Sequence, residues 1–397
     1  MSVDTARPVC SAAAATLSAP AARAHGAGVG ADFGAGAEAS LDVQVSVCRS
    51  LDALQSLQPE WSALLAACPD ADLFMSPAWH LAWWQAFGEG RRPVVLACRR
   101  GQRLVAVLPL CRYRDVWRGL PLRVLGTYNN EHASRSSLLV APGQTPAVAA
   151  ALAARLRADA GHWDALRLRQ LPAQAPWLAP LMEACRAEGL HLFGPTPGLG
   201  KCILPLAGGW SAFCAGRRHH FRIRLRESQQ RLARHGSVVY RRSAGCAEDF
   251  AAFLRLEGRS WKGGDGGVRL GSAGWAFQQQ VALAADAGMA CFNLFLDLDG
   301  RPVGGVQAIG FRGVVYSLQM MFDESVRQLY AGRAQFGVHV ADLFEDARHH
   351  TLDLNGNSPF CQSWSTLELP FVDLLLFHSR PYSALLAWLK QRLGRRR

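Results

Sequence analysis

Between Cys291 and Phe322 three apolar runs, Cys291–Leu298, Pro302–Gly310 and Val314–Phe322, are separated only by the short links 299–301 and 311–313, which hold the turns Asp299-Gly300 and Arg312-Gly313. Loops this short, ending in glycine, close β-hairpins, because left-handed residues there match the twist of the flanking strands. The run therefore commits the chain to an antiparallel meander. A loop over Asp323–Gly332, helical spacing over about Arg333–His349 and a strand at Thr351–Leu354 follow. A strand reached through a helical crossover pairs in parallel. The last meander strand and Thr351–Leu354 are thus expected side by side, with a helix N-terminus opening between them at Gly332-Arg333. Free backbone N–H groups and the positive dipole end make that opening an anion site suited to a pyrophosphate. Gly332 lets backbone approach a phosphate, and Arg327 and Arg333 add charge.

The first half reads in the same order. A strand at Val43–Val47 and helices at Leu51–Cys68 and from Pro77 precede a hairpin, Pro93–Cys98 with Arg103–Leu110. A strand at Arg123–Gly126, a helix at Pro146–Ala158, a strand at Ala165–Arg169 and a helix at Leu181–Glu188 follow. In the second half, a basic helix is expected over about Trp210–His235, a strand at Val238–Arg242, and helices at Ala247–Ser260 and Trp275–Ala287. The expected class is α/β, in two copies of one unit. The divisions are a disordered Ala/Gly-rich leader over 1–40, a first unit over 41–200, and a second over 201–397 with a basic tail. Ala12–Ala22 lacks the Leu/Val-rich core of an export signal.

With 397 residues, half of them hydrophobic and 19% charged, the chain can bury two cores, which excludes a disordered or fibrous protein. No apolar run reaches the roughly 18 residues of a membrane-spanning helix. The eleven cysteines form no CxxC, and His219-His220 and His349-His350 lack ligand partners at metal spacing, so neither a disulfide framework nor a metal is expected. The formal charge is +12, and Arg217–Arg242 holds nine arginines against Glu227 alone. Phe221, Leu225 and Leu232 pack one face of that stretch and leave a basic face for an anion. Trp79, Trp83 and Trp84 share helical spacing and read as core.

The order and spacing of several stretches resemble the GNAT acyltransferases, and within them the CelD-type acetyltransferases of cellulose and exopolysaccharide synthesis, which are similar to the FemABX aminoacyltransferases in having two such units. The stretches are Trp61, Phe74-Met75-Ser76-Pro77-Ala78-Trp79, Trp83-Trp84, Phe87-Gly88 and Leu104–Leu110 in the first half. In the second they are Arg222–Leu232, Glu257, Ser260-Trp261-Lys262-Gly263, Leu329-Tyr330-Ala331-Gly332-Arg333, Thr351–Gly356 and Trp364. The chain departs from the family at Tyr330-Ala331-Gly332, where Ser-Pro-Gly is usual, and at Asn357–Trp364, where a lysine is missing.

The resemblance implies transfer of an acyl group from acetyl-CoA or another acyl-CoA to an amine or hydroxyl, without a covalent intermediate. It implies cofactor contacts at Ser317, Gln319, Arg327, Gln328, Tyr330, Ala331, Gly332 and Arg333, and substrate contacts at Arg222, Arg226, Trp261, Lys262 and Trp364. Glu257, one helical turn before Ser260-Trp261-Lys262, is the candidate general base, against a solvated helical glutamate. Asp353 and Asn355 are the other catalytic candidates, against a turn beside Gly356. Lys262, one of three lysines, precedes a glycine-rich run that reads as a lid. The acceptor is expected to be a small molecule or saccharide, at a cytoplasmic location with peripheral contact to envelope polysaccharide machinery at the inner face of the membrane. Two alternatives stand beside this reading. One is an aminoacyl-tRNA-dependent transferase, in which tRNA is the nucleic-acid partner. The other is a non-catalytic subunit of a polysaccharide assembly.

Overall fold

The hairpin turns form as the sequence requires: Asp299 and Gly300 have φ of 51° and 74°, and Arg312 and Gly313 have 51° and 78°. These values come from a computed structural model, which describes residues 42–128, 130, 132, 135–263, 273–283 and 288–394. The expected leader and all but Gly263 of the glycine-rich run Gly263–Gly267 lie outside the described residues.

The first half contributes β1 (Val43–Cys48), α1 (Leu51–Ala67), α2 (Pro77–Phe87), β2 (Arg92–Arg100), β3 (Arg103–Trp117), β4 (Leu120–Thr127), β5 (Leu139–Val140), α3 (Thr145–Ala158), β6 (Ala165–Pro172), α4 (Leu178–Ala187) and β7 (His191–Pro197). The second half begins with β8 (Lys201–Pro205), α5 (Gly209–Gly216), α6 (His219–His235), β9 (Val238–Ser243), α7 (Ala247–Gly258) and α8 (Ala273–Leu283). Its meander is β10 (Met289–Leu298), β11 (Arg301–Phe311) and β12 (Val314–Phe322). After it come α9 (Ala331–Glu345), β13 (Thr351–Asp353), α10 (Pro359–Trp364), β14 (Leu367–Leu369), β15 (Phe371–Phe377) and α11 (Pro381–Gly394).

These elements build the expected α/β class with two mixed, mostly antiparallel sheets flanked by helices. One sheet runs β1-β2-β3-β4-β6-β15-β7, with β5 beside β3; the other runs β14-β8-β13-β12-β11-β10-β9. Read from β9, the second order matches the first position by position. Each sheet has one parallel step, β4 with β6 and β12 with β13. β8, the first strand of the second half, lies between β13 and β14 in its own sheet, whereas β15, also from the second half, crosses into the first sheet between β6 and β7. The division at residue 200 therefore needs correcting, because 371–377 returns to the first sheet and α11 packs on it. Both sheets belong to one compact unit.

The basic stretch is two helices rather than one, broken at Arg217-Arg218, where Arg218 takes an extended ψ of 144°. The expected loop at Asp323–Gly332 holds a 3-10 turn over Glu324–Leu329, capped by the Asp323 carboxylate. The next helix starts two residues earlier than expected, because Tyr330 takes the left-handed conformation (φ 56°) that ends the turn. Adjacent glycines let helices approach both faces of β11. A Cβ on Gly304 would meet Gln335 of α9, and one on Gly305 would meet Phe253 of α7. Trp79 and Trp83 are buried, as expected for core. Trp79 meets Phe277 of α8 edge-on at 4.8 Å, so α2 and α8 join the two halves.

Candidate active site

The parallel pairing of β12 and β13 covers only Val314 with Thr351, Val315 with Leu352, and Tyr316 with Asp353. Beyond it each strand follows its other neighbour. β12 stays with β11 through a bulge at Leu318, since Ser317 pairs Ala308 and Gln319 pairs Gln307. The chain after β13 stays with β8: Leu354 N donates to Cys202 O (3.0 Å) and Cys202 N to Gly356 O (2.9 Å). The two strands part, and a pocket of about 130 Å³ opens between Ser317–Gln319 and Leu354-Asn355. Trp79, His132, Phe277, Gln278 and Val281 complete its wall, so the first half closes a pocket in the second.

At the end of β12, Asp323 is buried and fixes the turn before α9. It accepts from Ser325 N and Oγ (2.9 and 2.7 Å) and pairs with Arg301 and with Arg259 (3.0 Å). Against burial, these bonds hold its carboxyl below the usual range. The first helical bonds run from Arg333 N and Ala334 N to Tyr330 O, so the N–H groups of Ala331 and Gly332 precede them. A Cβ on Gly332 would come within 2.9 Å of the Phe322 ring.

The charge around this helix end comes partly from residues the sequence reading missed. Arg231 lies over the Tyr330 ring (5.0 Å) and donates to Gln328 O. Burial and the neighbouring Arg224 lower the pKa of Arg333. Arg224 and Arg231 sit one heptad apart on one flank of the buried stripe Phe221, Leu225, Ser228 and Leu232; that spacing is the signal that finds them. The expected Arg222 and Arg226 are exposed on the other flank. Arg327 is exposed and pairs with Glu324 (3.4 Å), while exposed Gln328 donates to Ser325 O (3.0 Å).

On the opposite face of the sheet, Glu257 is 1% exposed and accepts from Trp275 Nε1. Lys262 Nζ donates to Gln319 Oε1 at the pocket wall. Burial lowers the Lys262 pKa, and Glu257 opposes that shift. Trp261 is 59% exposed beside it, with Lys262 Nζ 5.6 Å from its ring. The structure thus brings together Glu257, Trp261, Lys262, Ser317, Gln319 and Asn355, and puts Tyr330, Ala331, Gly332 and Arg333 at the helix end.

Two expectations require correction. Asp353 is not available as a catalytic group. It is 2% exposed, and both oxygens bind Arg135 (2.8 and 2.9 Å), with Asn355 N also on Oδ1 (2.8 Å). Asn355 adopts φ 49° and accepts from Arg135 (3.3 Å), so the same arginine holds both residues at the mouth of the gap. Trp364 cannot touch a substrate in this arrangement. It is fully buried among Phe213, Phe221, Phe336 and Phe360.

The Arg135–Asp353 pair centres a buried cluster. Phe74, Phe371 and Tyr316 surround the guanidinium at 4.3, 5.4 and 6.0 Å. Burial, with help from Arg135, lowers the pKa of Lys201 to about 8. Burial raises the Asp72 pKa to about 6; Arg135 opposes that shift and Asp353 adds to it. The folded protein therefore keeps this proton to higher pH than the unfolded chain, whose carboxyl titrates near the ordinary 3.8. Its contribution is full at low pH and is lost as pH rises through about 6. Asp72→Asn is expected to remove that decline, read from unfolding free energies across the same range.

A parallel pair that parts beside a meander, joined by a helix whose N-terminus follows the last meander strand, is the arrangement to compare with known proteins. Residues 219–360, which hold β9 to β13, match the model of an acetyltransferase (GNAT) domain. No curated protein matches the chain. Similar solved structures include the following three. FemX is 14% identical with a TM-score of 0.57, over 83% of this chain and 98% of its own. A tandem GNAT protein from the clavulanic acid biosynthesis pathway is 14% identical with a TM-score of 0.47, over 84% and 98%. A conserved protein of unknown function from Bacteroides thetaiotaomicron VPI-5482 is 10% identical with a TM-score of 0.52, over 84% and 100%. FemX and the Bacteroides protein share the fold across both halves of this chain.

Proposed function

We propose that the protein is an acyl-CoA-dependent N- or O-acyltransferase. The observation that carries this reading is the parting of β12 from β13, the two strands that α9 connects, with Arg224, Arg231 and Arg333 at the N-terminal end of that helix. The residues fit the donor. Gly332 presents no side chain at the helix end, and its N–H and that of Ala331 would hold a pyrophosphate. The strand edges freed at Ser317–Gln319 suit the amides of a pantetheine arm, as an added strand would. When bound, the thioester supplies the acyl group for direct attack by an amine or hydroxyl.

The chain's own residues would orient that attack and take the proton. Lys262 and Gln319 form one polar wall of the gap and Asn355 the other. Glu257, beside Lys262, is the proton acceptor, held in orientation by Trp275. Buried polar groups set in advance around a reacting carbonyl are worth more than the same groups in water. The acceptor enters past Trp261. Its assignment to a cell-envelope or exopolysaccharide precursor rests on the CelD-type resemblance. The basic outer flank of α6, with Arg222 and Arg226 exposed, supports the tRNA-dependent alternative.

Thermal unfolding with each ligand tests the choice. Acetyl-CoA at about 100 times its Kd is expected to add about 2.7 kcal/mol. Stabilisation by aminoacyl-tRNA alone would favour the alternative donor. Stabilisation by neither would fit the non-catalytic subunit.

A further inference from the structure

α11 departs from the pattern of a surface helix. Its inner face, Ser383, Leu386 and Ala387, is buried. Leu386 and Ala387 pack with Leu122, Val124, Ala165 and Phe377 of the first sheet. The face opposite a buried stripe is normally polar. Here it carries Leu385 and Trp388, 48% and 47% exposed, with Tyr382 36% exposed at the first turn. The Arg392 guanidinium lies 4.4 Å from the centre of the Trp388 ring. After Asp373 the sequence has no acidic residue, and it has six cations: Arg380, Lys390, Arg392, Arg395, Arg396 and Arg397.

The turn between β3 and β4 extends the same surface. Tyr382 Oη donates to Pro121 O (2.7 Å), and Trp117 and Leu120 pack against the cluster under α11. Val116, 64% exposed, and the exposed Arg118 lie at that turn. An apolar patch of leucine, valine and tryptophan therefore has the cations Arg118, Lys390 and Arg392 beside it.

We propose that this face docks on an anionic lipid surface. Tryptophan settles at headgroup depth, aliphatic side chains enter below it, and arginines extend to the phosphates along their apolar stems. The charge is complementary to anionic lipid and to no second copy of this chain, whose identical cations would repel it. RNA would use the cations and leave Leu385 and Val116 in water. Among the described residues no helix is long and apolar enough to cross a membrane, so α11 would lie in the interface plane.

The test is co-sedimentation of the full chain with vesicles of phosphatidylcholine, alone or with about a quarter phosphatidylglycerol. Binding is expected to be about tenfold or more tighter with the anionic lipid and to fall in about 0.5 M NaCl. Leu385→Ser with Trp388→Ser is expected to weaken it about tenfold or more, with the unfolding midpoint unchanged because both side chains are outward. Lys390→Gln with Arg392→Gln should weaken binding to the anionic vesicles alone. Equal binding to both vesicles, no sedimentation, or full binding by the Leu385/Trp388 variant would overturn the proposal. So would a patch shown to bind tRNA or a second copy in preference to vesicles.

Discussion

Arg135→Ala is expected to cost about 3–5 kcal/mol of stability, the usual loss when one partner of a buried ion pair is removed. Arg135 and Asp353 are 5% and 2% exposed and share two bonds of 2.8 and 2.9 Å across 218 positions of sequence. Without the guanidinium, the Asp353 carboxylate stays buried beside Asp72 with its strongest partner gone. The apolar exchange Arg135→Met with Asp353→Leu is expected to recover most of the loss, because it removes both charges. Urea unfolding of the single and double variants measures this. A loss below about 1 kcal/mol for Arg135→Ala, the range of an exposed pair, would mean that the cluster does not clamp the two halves.

Trp364→Ala is expected to cost about 3–5 kcal/mol for a different reason, the cavity left by a fully buried aromatic. The ring is 4.9 Å from Phe221 and 5.0 Å from Phe336, both edge-on, so its loss unseats α6 and α9 together. Trp364→Phe keeps most of the volume and should cost less. In that variant the KM for acceptor should equal wild type, because the ring faces no substrate. A raised acceptor KM at unchanged stability would restore the substrate role expected from sequence.

The contrast between these two residues and the meander shows what the sequence carried. Asp299-Gly300 and Arg312-Gly313 specify their hairpins locally, and a helix between two strands forces the parallel step, so β10 to β13 were legible. Glu257 and Lys262 were legible as neighbours because the segment Ser260-Trp261-Lys262 begins about one helical turn after Glu257. Nothing local points from Asp353 to Arg135, and pattern alone does not separate a strand-end carboxylate in an ion pair from one in a cleft. The return of β15 to the first sheet was hidden for a related reason, since nothing local in Phe371–Phe377 points to its partners β6 and β7. In the second sheet, β8, β13 and β14 are five, three and three residues long, too short for a period of two to declare itself. In the basic stretch of nine arginines the apolar stripe Phe221, Leu225 and Leu232 was legible, but not which of its flanks faces α9, so Arg222 and Arg226 were chosen over Arg224 and Arg231. Trp364 carries a family motif and a core position at once, and only packing separates the two.

The central claim is that an acyl-CoA binds where β12 and β13 part, with its phosphates on the N-terminus of α9. Calorimetric titration of acetyl-CoA into wild type, Gly332→Ala and Gly332→Glu tests it most directly. Both variants add the Cβ that crowds Phe322, and only glutamate places a negative charge on the anion site. Binding retained by wild type, largely retained by folded Gly332→Ala and lost in folded Gly332→Glu is the predicted result. Equal binding by all three folded proteins, or none by wild type, would contradict the account.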